Sequence, residues 1–325
     1  MMLVYMLKTM MSTRLYDKVT RRHPLFAGSP MNKRSFEQRN HAQRERLAFI
    51  EFRLWFLGDI SRSDLLERFG IAPAVATRDL TAYRELASGN IDFEGSRKIY
   101  VTGHDFNPVF EHSPERVLSA ISRGFGDGAD RREGSYVPCE FPLSLNRLSL
   151  STLATVTRAI HQGQALRVCY HSLKRGADER EIAPHALVDS GLRWHTRVFD
   201  RKSAEFRDLV ISRIESAVVI DGSKVELHEA ADQDDQWTRM LSLDLIPHPH
   251  QNRPEIVARD FGMKNGMLNV RVRAAVAGYV LQLWNVDCSP DRGLDPTIYR
   301  LCLKDPLQIY GVKSAEIAPG HPPSK

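Results

Sequence analysis

Residues 192–214, LRWHTRVFDRKSAEFRDLVISRI, constrain the fold more than any other part of the chain, because apolar and polar side chains alternate along them. Successive side chains of a β-strand point to opposite faces of the sheet, so this alternation predicts strands. A first run covers residues 192–199 and a second covers residues 206–214. The short polar segment 201–205 between them predicts a hairpin connection. We therefore expect two adjacent antiparallel strands here.

Both predicted strands carry cationic side chains. One face of the first strand holds Leu192, Trp194, Thr196 and Val198, and the opposite face holds Arg193, His195, Arg197 and Phe199. One face of the second strand holds Arg207, Leu209, Ile211 and Arg213. The pattern alone favours a solvated sheet face, since one side of an antiparallel sheet commonly faces water. A polar binding pocket is the alternative.

This run resembles the core of the WYL domain, a small Sm-like β-barrel of bacterial regulators. Trp194, His195 and Thr196 stand where that family has its Trp-Tyr-Leu triplet, and two of the three letters differ. The departure resembles a subgroup of WYL transcriptional repressors associated with BREX and CBASS anti-phage defence systems. The resemblance extends to the earlier strands of that barrel, which correspond here to residues 166–170, Ser172 and residues 182–185.

The N-terminal third carries the signals of two consecutive helices. The first is an amphipathic helix that begins near Phe36 and ends at Gly58. Its apolar stripe consists of Leu47, Ile50, Leu54 and Leu57. The second has an N-cap at Ser61 with Asp64 three residues later, and Gly70 ends it. A three-residue turn follows, which predicts a compact helix pair.

A third helix is predicted from Pro73, a residue well suited to a first helical position. Its inner face consists of Ala76, Leu80, Tyr83 and Ala87. Its outer face consists of Thr77, Arg78, Thr81 and Arg84. A helix, a tight turn and a helix with an exposed polar and cationic face are typical of a recognition helix that enters a DNA major groove. An ordinary helical hairpin with solvated charges is the alternative.

A short basic hairpin follows the third helix. Residues 91–94 and 98–101 predict two strands around Gly95-Ser96-Arg97, which is the arrangement of a wing. Residues 1–101 contain 17 lysines and arginines against 11 acidic residues, whereas the rest of the chain contains 28 and 29. This asymmetry is typical of a segment that binds a polyanion, although a modest surplus is common on ordinary surfaces. Residues 49–101 also resemble the winged helix of the same repressor group.

The resemblance and the pattern together assign candidate DNA contacts. We expect base contacts from Thr77, Arg78 and Thr81. We expect phosphate contacts from Arg84, Ser96, Arg97 and Lys98. Arg78 has a structural alternative, because in an Arg-Asp-Leu run the arginine can pair with a neighbouring carboxylate.

The chain, at 325 residues with 42% hydrophobic and 26% charged residues, is long enough for two or three domains. We expect an α+β multidomain protein with a winged helix-turn-helix, a central Sm/SH3-like WYL barrel and a small α/β dimerisation domain of the WCX type. The predicted boundaries are 1–30 for a poorly ordered extension, 31–103 for the DNA-binding domain, 104–164 for a helical connector, 165–225 for the barrel, 226–253 for a linker and 254–325 for the C-terminal domain. In that last domain Tyr279 and Trp284 suit either an interface or the core.

Several function classes lack sequence support. The four cysteines Cys139, Cys169, Cys288 and Cys302 form no CxxC pair, so neither a zinc motif nor a disulfide framework is indicated and a reducing cytoplasm is expected. The chain has no apolar run of the roughly 20 residues that span a bilayer. It also has no Gly-x-Ser-x-Gly elbow, P-loop or His-Glu-x-x-His pair. We expect no enzyme activity, cofactor or metal. The acidic run at Asp232, Asp234 and Asp235 is interpreted as solvated surface.

The expected function is that of a homodimeric repressor bound to an inverted-repeat operator in double-stranded DNA. Within the barrel, guanidinium and imidazole groups favour an anionic effector, which the resemblance implies is a nucleotide or a nucleic-acid fragment. The candidate effector residues are Tyr170, Ser172, His185, His195, Arg197, Arg207 and Arg213. Two alternatives remain open: a nucleic-acid-sensing accessory module of a defence system, and a WYL-type activator.

Overall fold

The computed structural model describes residues 40–125, 136–140 and 146–322. The chain forms two compact units, Met1–Pro142 and Leu143–Lys325. The expected poorly ordered extension at residues 1–30 lies outside the described residues. Among the helices that are described, none combines the length and the apolar character needed to cross a bilayer.

The first unit is a winged helix. Its elements are α1 (His41–Leu57), β1 (Asp59–Ile60), α2 (Arg62–Phe69), α3 (Pro73–Leu86), β2 (Ile91–Glu94), β3 (Ile99–Thr102) and α4 (Pro114–Arg123). The three strands form an antiparallel sheet in the order β1-β3-β2. The predicted helix-turn-helix and wing are confirmed, and β1 adds a strand that the sequence pattern did not indicate.

Local capping signals explain where these helices begin and end. Gly58 and Gly70 adopt left-handed backbone conformations with φ of 88° and 61°, which glycine reaches at little cost, and each ends a helix. Ser61 and Asp64 form a reciprocal capping box at the start of α2. Pro73 occupies the first turn of α3. The apolar faces of the three helices then pack around Leu47, Ile50, Leu54, Leu65 and Leu80, all fully buried.

The second unit begins with a five-stranded barrel-like sheet. Helix α5 (Leu150–Gln162) precedes strands β4 (Gln164–Ser172), β5 (Gly176–Asp189), β6 (Trp194–Asp200), β7 (Glu205–Val210) and β8 (Ile214–Lys224). The strand order is β7-β6-β5-β4-β8, and every neighbouring pair is antiparallel. Val156 and Ala159 of α5 pack on the core of this sheet. The predicted alternation beyond Val210 is wrong, because Ile211–Arg213 is a 3-10 turn and Arg213 therefore leaves the strand face.

Strand β6 is buried on both faces. Thr196 and Val198 have no exposed surface, and Val198 belongs to the barrel core. On the opposite face the exposed fractions of His195 and Arg197 are only 5% and 6%. The interpretation of that face as solvated, which the alternation alone favoured, is wrong. Residues beyond the barrel cover it.

The remainder of the second unit is a small α/β layer. It contains α6 (Asp235–Thr238), β9 (Met240–Pro247), α7 (Pro254–Asp260), β10 (Leu268–Arg273), α8 (Ala274–Leu283), β11 (Val286–Asp287) and β12 (Leu301–Leu303). The strand order is β10-β9-β12-β11, and α8 contributes Ala277 and Leu281 to its core. The interval 226–253, expected to be a linker, contains α6 and β9.

One polar cluster joins the barrel to the segments that follow it. We call His185, Arg197, Asp208, Asp234 and Tyr279 the Asp234 cluster. Arg197 donates from Nε and Nη2 to the Asp234 carboxylate at 2.7 and 2.9 Å, and from Nη1 to Asp208 at 3.3 Å. His185 Nε2 lies 3.3 Å from Asp234. The interpretation of Asp234 as solvated surface is wrong, because only 1% of this residue is exposed.

The Asp234 cluster predicts a specific pH dependence of stability. Burial alone would raise the pKa of Asp234, but hydrogen bonds and charge from His185 and Arg197 outweigh it and hold that pKa well below its ordinary value. A depressed carboxyl pKa contributes stability above the unfolded pKa, and that contribution is lost as the pH falls below about 4. We expect Asp234→Asn to lower the free energy of unfolding by about 2–4 kcal/mol at pH 7 and by much less near the acid limit.

Urea unfolding of the full chain at several pH values measures this difference. Asp235→Asn is the matched control, since Asp235 is exposed and adjacent in sequence. If the difference in free energy of unfolding between the wild type and Asp234→Asn stayed constant across the acid range, it would contradict a depressed pKa of Asp234.

Candidate DNA-binding surface and effector site

The four side chains of α3 that were expected to contact DNA all lie on the outer face of this helix. Thr77, Arg78, Thr81 and Arg84 are all exposed. Thr77 and Thr81 hydroxyls donate to the carbonyls of Pro73 and Thr77 at 3.1 and 3.0 Å, which fixes their direction along the helix. The four side chains therefore form one polar and cationic strip suited to base edges and phosphates.

Arg78 and Asp79, the neighbours in the Arg-Asp-Leu run, point to opposite sides of α3. Asp79 is 1% exposed and accepts from Arg46 Nε at 2.6 Å and from Gln43 Nε2 at 3.1 Å, both on α1. Arg78 points the other way and donates to the carbonyl of Ala74 at 3.3 Å. Among the described residues no carboxylate forms an ion pair with Arg78.

A buried hydrogen-bond network holds the other end of α3. Tyr83 donates its hydroxyl to Glu51 at 2.9 Å and accepts from Asn90 at 3.0 Å. Glu51 has no exposed surface and also accepts from the backbone amides of Val109 and Phe110, each at 2.8 Å. Burial and the nearby Glu51 carboxylate raise the pKa of Tyr83 far above its ordinary value. These contacts fix α3 against α1, and no sequence pattern indicated them.

The wing is less uniformly basic than its sequence suggested. Ser96, Arg97 and Lys98 are all exposed in the turn between β2 and β3. Arg97 lies 3.4 Å from Glu94 and 3.6 Å from Asp59, and the Ser96 hydroxyl donates to Glu94 at 2.9 Å. Lys98 has a left-handed backbone with φ of 55°, and no acidic partner for it exists in the described part of the chain. Lys98 is therefore the wing cation most available to a phosphate.

Three of the seven candidate effector residues lie on the outer face of β5 and β6. His185 and Arg197 both contact Asp234, and the His195 ring lies 5.0 Å from the Tyr279 ring. Burial lowers the pKa of His195, so this imidazole is neutral near pH 7. Within the described residues, Nδ1 of His185 and Nδ1 of His195 are buried without a hydrogen-bond partner.

Two other candidates lie on the inner face, at one end of the barrel. The Tyr170 hydroxyl accepts from the Val210 amide at 3.4 Å, and the Arg180 guanidinium lies 5.9 Å from its ring. Arg207 Nη2 lies 3.0 Å from Glu205, and its Nε lies 3.6 Å from Asp200. Asp200 is fully buried and also pairs with Arg180. This group is distinct from the Asp234 cluster, which lies on the other face of the sheet.

The last two candidates lie apart from both groups. Ser172 is the last residue of β4, where its hydroxyl accepts from the Lys174 amide at 3.2 Å. Arg213 is in the 3-10 turn before β8. The structure thus divides the seven candidates among two polar groups, the end of β4 and a 3-10 turn. No sequence pattern indicated the carboxylates that organise both groups, because their partners are distant in sequence. They are Asp208 and Asp234 on the outer face and Asp200 on the inner face.

Family comparisons agree with this architecture. The winged helix-turn-helix domain of the BrxR transcriptional regulator matches residues 42–122. The WYL domain matches residues 151–219, and the C-terminal dimerization domain of the BrxR transcriptional regulator matches residues 240–309.

Curated relatives match across most of the chain. The DNA-binding transcriptional repressor CapW of Pseudomonas aeruginosa is 31% identical over 276 residues, which cover 82% of this chain and 90% of the relative. CapW of Escherichia coli (strain KTE188) is 30% identical over 278 residues, covering 83% and 91%. CapW of Stenotrophomonas maltophilia is 31% identical over 255 residues, covering 75% and 84%. With the winged helix, the WYL barrel and the C-terminal domain present in this order, the chain belongs to the family of WYL-domain transcriptional regulators that includes CapW and BrxR.

Proposed function

We propose that this protein is a homodimeric, DNA-binding transcriptional repressor of an anti-phage defence operon. The observation that carries the proposal is the exposed strip of Thr77, Arg78, Thr81 and Arg84 on α3 of a winged helix. The match to the C-terminal dimerization domain supports a dimer, and the relatives named as DNA-binding transcriptional repressors support the sign of regulation. Its action on DNA places it in the cytoplasm, and no catalytic step is part of the proposal.

The packing of α3 explains how the strip recognises DNA. Asp79 and Tyr83 anchor the inner face to α1, so the outer side chains project from a fixed helix. Thr77, Arg78 and Thr81 contact base edges, whereas Arg84 and the wing residues Ser96, Arg97 and Lys98 contact phosphates. In a twofold dimer the two copies of α3 meet half-sites about one helical turn apart or a multiple of it, so the operator is an inverted repeat.

We further propose that an anionic effector binds the barrel by replacing Asp234 on Arg197. Arg197 is a buried guanidinium that already holds a carboxylate through two hydrogen bonds, which is the geometry with which arginine also binds phosphate. His185 contacts the same carboxylate and adds a second donor. A nucleotide or a nucleic-acid fragment carries the required phosphate. Of the seven candidate residues, His185, His195 and Arg197 contribute most in this arrangement.

Displacement of Asp234 has a structural consequence. Asp234 is the N-cap of α6 and accepts from the amides of Gln236 and Trp237. Trp237 in turn accepts a hydrogen bond at its carbonyl from Arg273, and the Arg273 guanidinium lies 4.6 Å from the Trp237 ring. An effector that takes the place of Asp234 therefore changes the connection between the barrel and the C-terminal layer. Release of the operator follows if the effector binds the altered state more tightly than the original one.

The DNA-binding proposal predicts the effect of removing two side chains from the α3 strip. We expect Thr77→Ala/Arg78→Ala to weaken binding to the DNA upstream of the protein's own gene by on the order of 10- to 100-fold, because one good bidentate base contact, of the kind that Arg78 offers, is worth about 1–3 kcal/mol. Binding to a scrambled duplex changes much less. A gel shift on both duplexes at matched salt measures the two affinities.

Two control variants sharpen that comparison. Thr155→Ala/Arg158→Ala removes the same residue types from α5 and leaves both affinities unchanged. Lys98→Ala in the wing weakens binding to both duplexes alike, since a phosphate contact carries no sequence information. Equal weak binding of the wild type to both duplexes would contradict the proposal and favour an accessory nucleic-acid-sensing module. Selective binding that increases transcription would make the protein an activator.

The effector proposal predicts opposite effects for the two partners of one ion pair. Asp234→Asn removes the competing carboxylate, so a labelled single-stranded oligonucleotide or the preferred member of a nucleotide panel binds more tightly, on the order of tenfold. Arg197→Gln removes the anion donor, so effector binding is lost. Arg167→Gln, an exposed arginine of the same barrel, is the control. A merely structural pair would lose effector binding in both variants.

A further inference from the structure

We propose that the outer face of strands β4 and β8 carries a binding site for Zn²⁺ or a similar divalent transition-metal ion, formed by Cys169, His171 and Glu215. The three donor atoms lie within 4.8 Å of one another. The site is separate from the Asp234 cluster and from the winged helix. It adds a metal-binding capacity to the function proposed above and does not depend on it.

Strand register explains how three residues distant in sequence come together. Cys169 and His171 are two positions apart on β4, so their side chains share one face of the sheet. Cys169 pairs with Ser216 on β8, whereas Tyr170 pairs with Ile214, so Glu215 is the extra residue of a β-bulge. Such a bulge redirects a side chain. Here it places the Glu215 carboxylate against both the Cys169 thiol and the His171 imidazole.

The distances are close to those that a tetrahedral ion requires. Cys169 Sγ lies 3.6 Å from Glu215 Oε2, and His171 Nε2 lies 2.6 Å from the same oxygen. Ordinary Zn²⁺ bond lengths place a sulfur and an oxygen ligand roughly 3.6 Å apart, and a nitrogen and an oxygen ligand roughly 3.4 Å apart. The imidazole and the carboxylate must separate by less than about 1 Å. Their side chains are 52% and 63% exposed, so this adjustment needs no movement of the core.

The local charge favours a cation at this place. Glu179 on β5 is the cross-strand neighbour of Cys169 on β4, and it offers a second carboxylate beside the thiol. Ala177 pairs with His171, so a small side chain stands beside the imidazole. Arg167, two positions before Cys169 on the same face, is held by Glu181 at 3.0 Å. Glu179 or water completes the fourth position of a tetrahedral ion.

The donor set also selects the class of metal. Thiolate and imidazole ligands suit Zn²⁺ and its transition-metal neighbours, whereas Mg²⁺ and Ca²⁺ prefer sites made of oxygen atoms. Co²⁺ adopts the same tetrahedral arrangement as Zn²⁺ in such sites and gives a thiolate charge-transfer band in the near ultraviolet. This band reports a cobalt–sulfur bond directly, and it needs no assay of DNA binding.

The test is a Co²⁺ titration of the full-length, reduced and metal-stripped protein. We expect a saturable charge-transfer band with one ion per chain, which Zn²⁺ abolishes and excess Mg²⁺ leaves in place. Cys169→Ser removes the band, and Glu215→Gln and His171→Ala each weaken Co²⁺ binding by on the order of tenfold or more. Cys139→Ser is the matched control, since Cys139 is an exposed cysteine of the other unit, and it leaves the band unchanged.

Three results would overturn the proposal. Absence of a saturable band in the wild type would show that the cluster is an exposed hydrogen-bonded group without a metal. A band that survives Cys169→Ser, or that is lost in Cys139→Ser, would place the metal elsewhere. Unchanged Co²⁺ affinity in both Glu215→Gln and His171→Ala would show that neither side chain binds the ion and that Cys169 is its only ligand among the three. Circular dichroism and thermal unfolding of each variant confirm that it is folded before titration.

Discussion

Arg197 is the buried cation on which the organisation of the second unit depends. Its guanidinium holds Asp234 of the segment after the barrel and Asp208 of the neighbouring strand, and Asp208 in turn accepts from the Tyr279 hydroxyl of α8. A buried cation of this kind is costly to leave without a partner, so both carboxylates are needed for stability. In the proposed effector mechanism, a phosphate takes the place of the Asp234 carboxylate on Arg197.

Buried carboxylates have a comparable role in the first unit, where they determine which residues remain exposed. Asp79 and Glu51 accept hydrogen bonds beneath α3 and fix the helix to α1 and to the segment after the wing. With its inner face committed in this way, α3 can present only its opposite side, which holds the polar strip that begins at Thr77 and Arg78. In both units a buried carboxylate fixes the orientation of the elements around it.

Features determined by neighbouring residues were predictable from the sequence, and features determined by distant pairs were not. The helix boundaries followed from local signals such as the Ser61 cap, the turn at Gly70 and Pro73, because these act within one helical turn. The partner of Arg197 is 37 residues away, so no spacing pattern indicates that Asp234 is buried. The position of Glu215 beside two residues of β4 depends on a β-bulge that arises only from strand pairing. The alternation of side chains along β6 also did not indicate that both faces of this strand are buried. A two-residue period identifies a strand, but it does not show whether other parts of the chain pack over its polar face.

In the proposed dimer, two copies of α3 enter the major groove of a symmetric operator. Hydroxyl-radical footprinting of the full-length protein on the DNA upstream of its own gene tests this arrangement. We predict two protected patches related by a twofold axis, with centres separated by about 10–10.5 base pairs or a multiple of that distance. A single asymmetric patch, or weak protection spread evenly over any duplex, would contradict it.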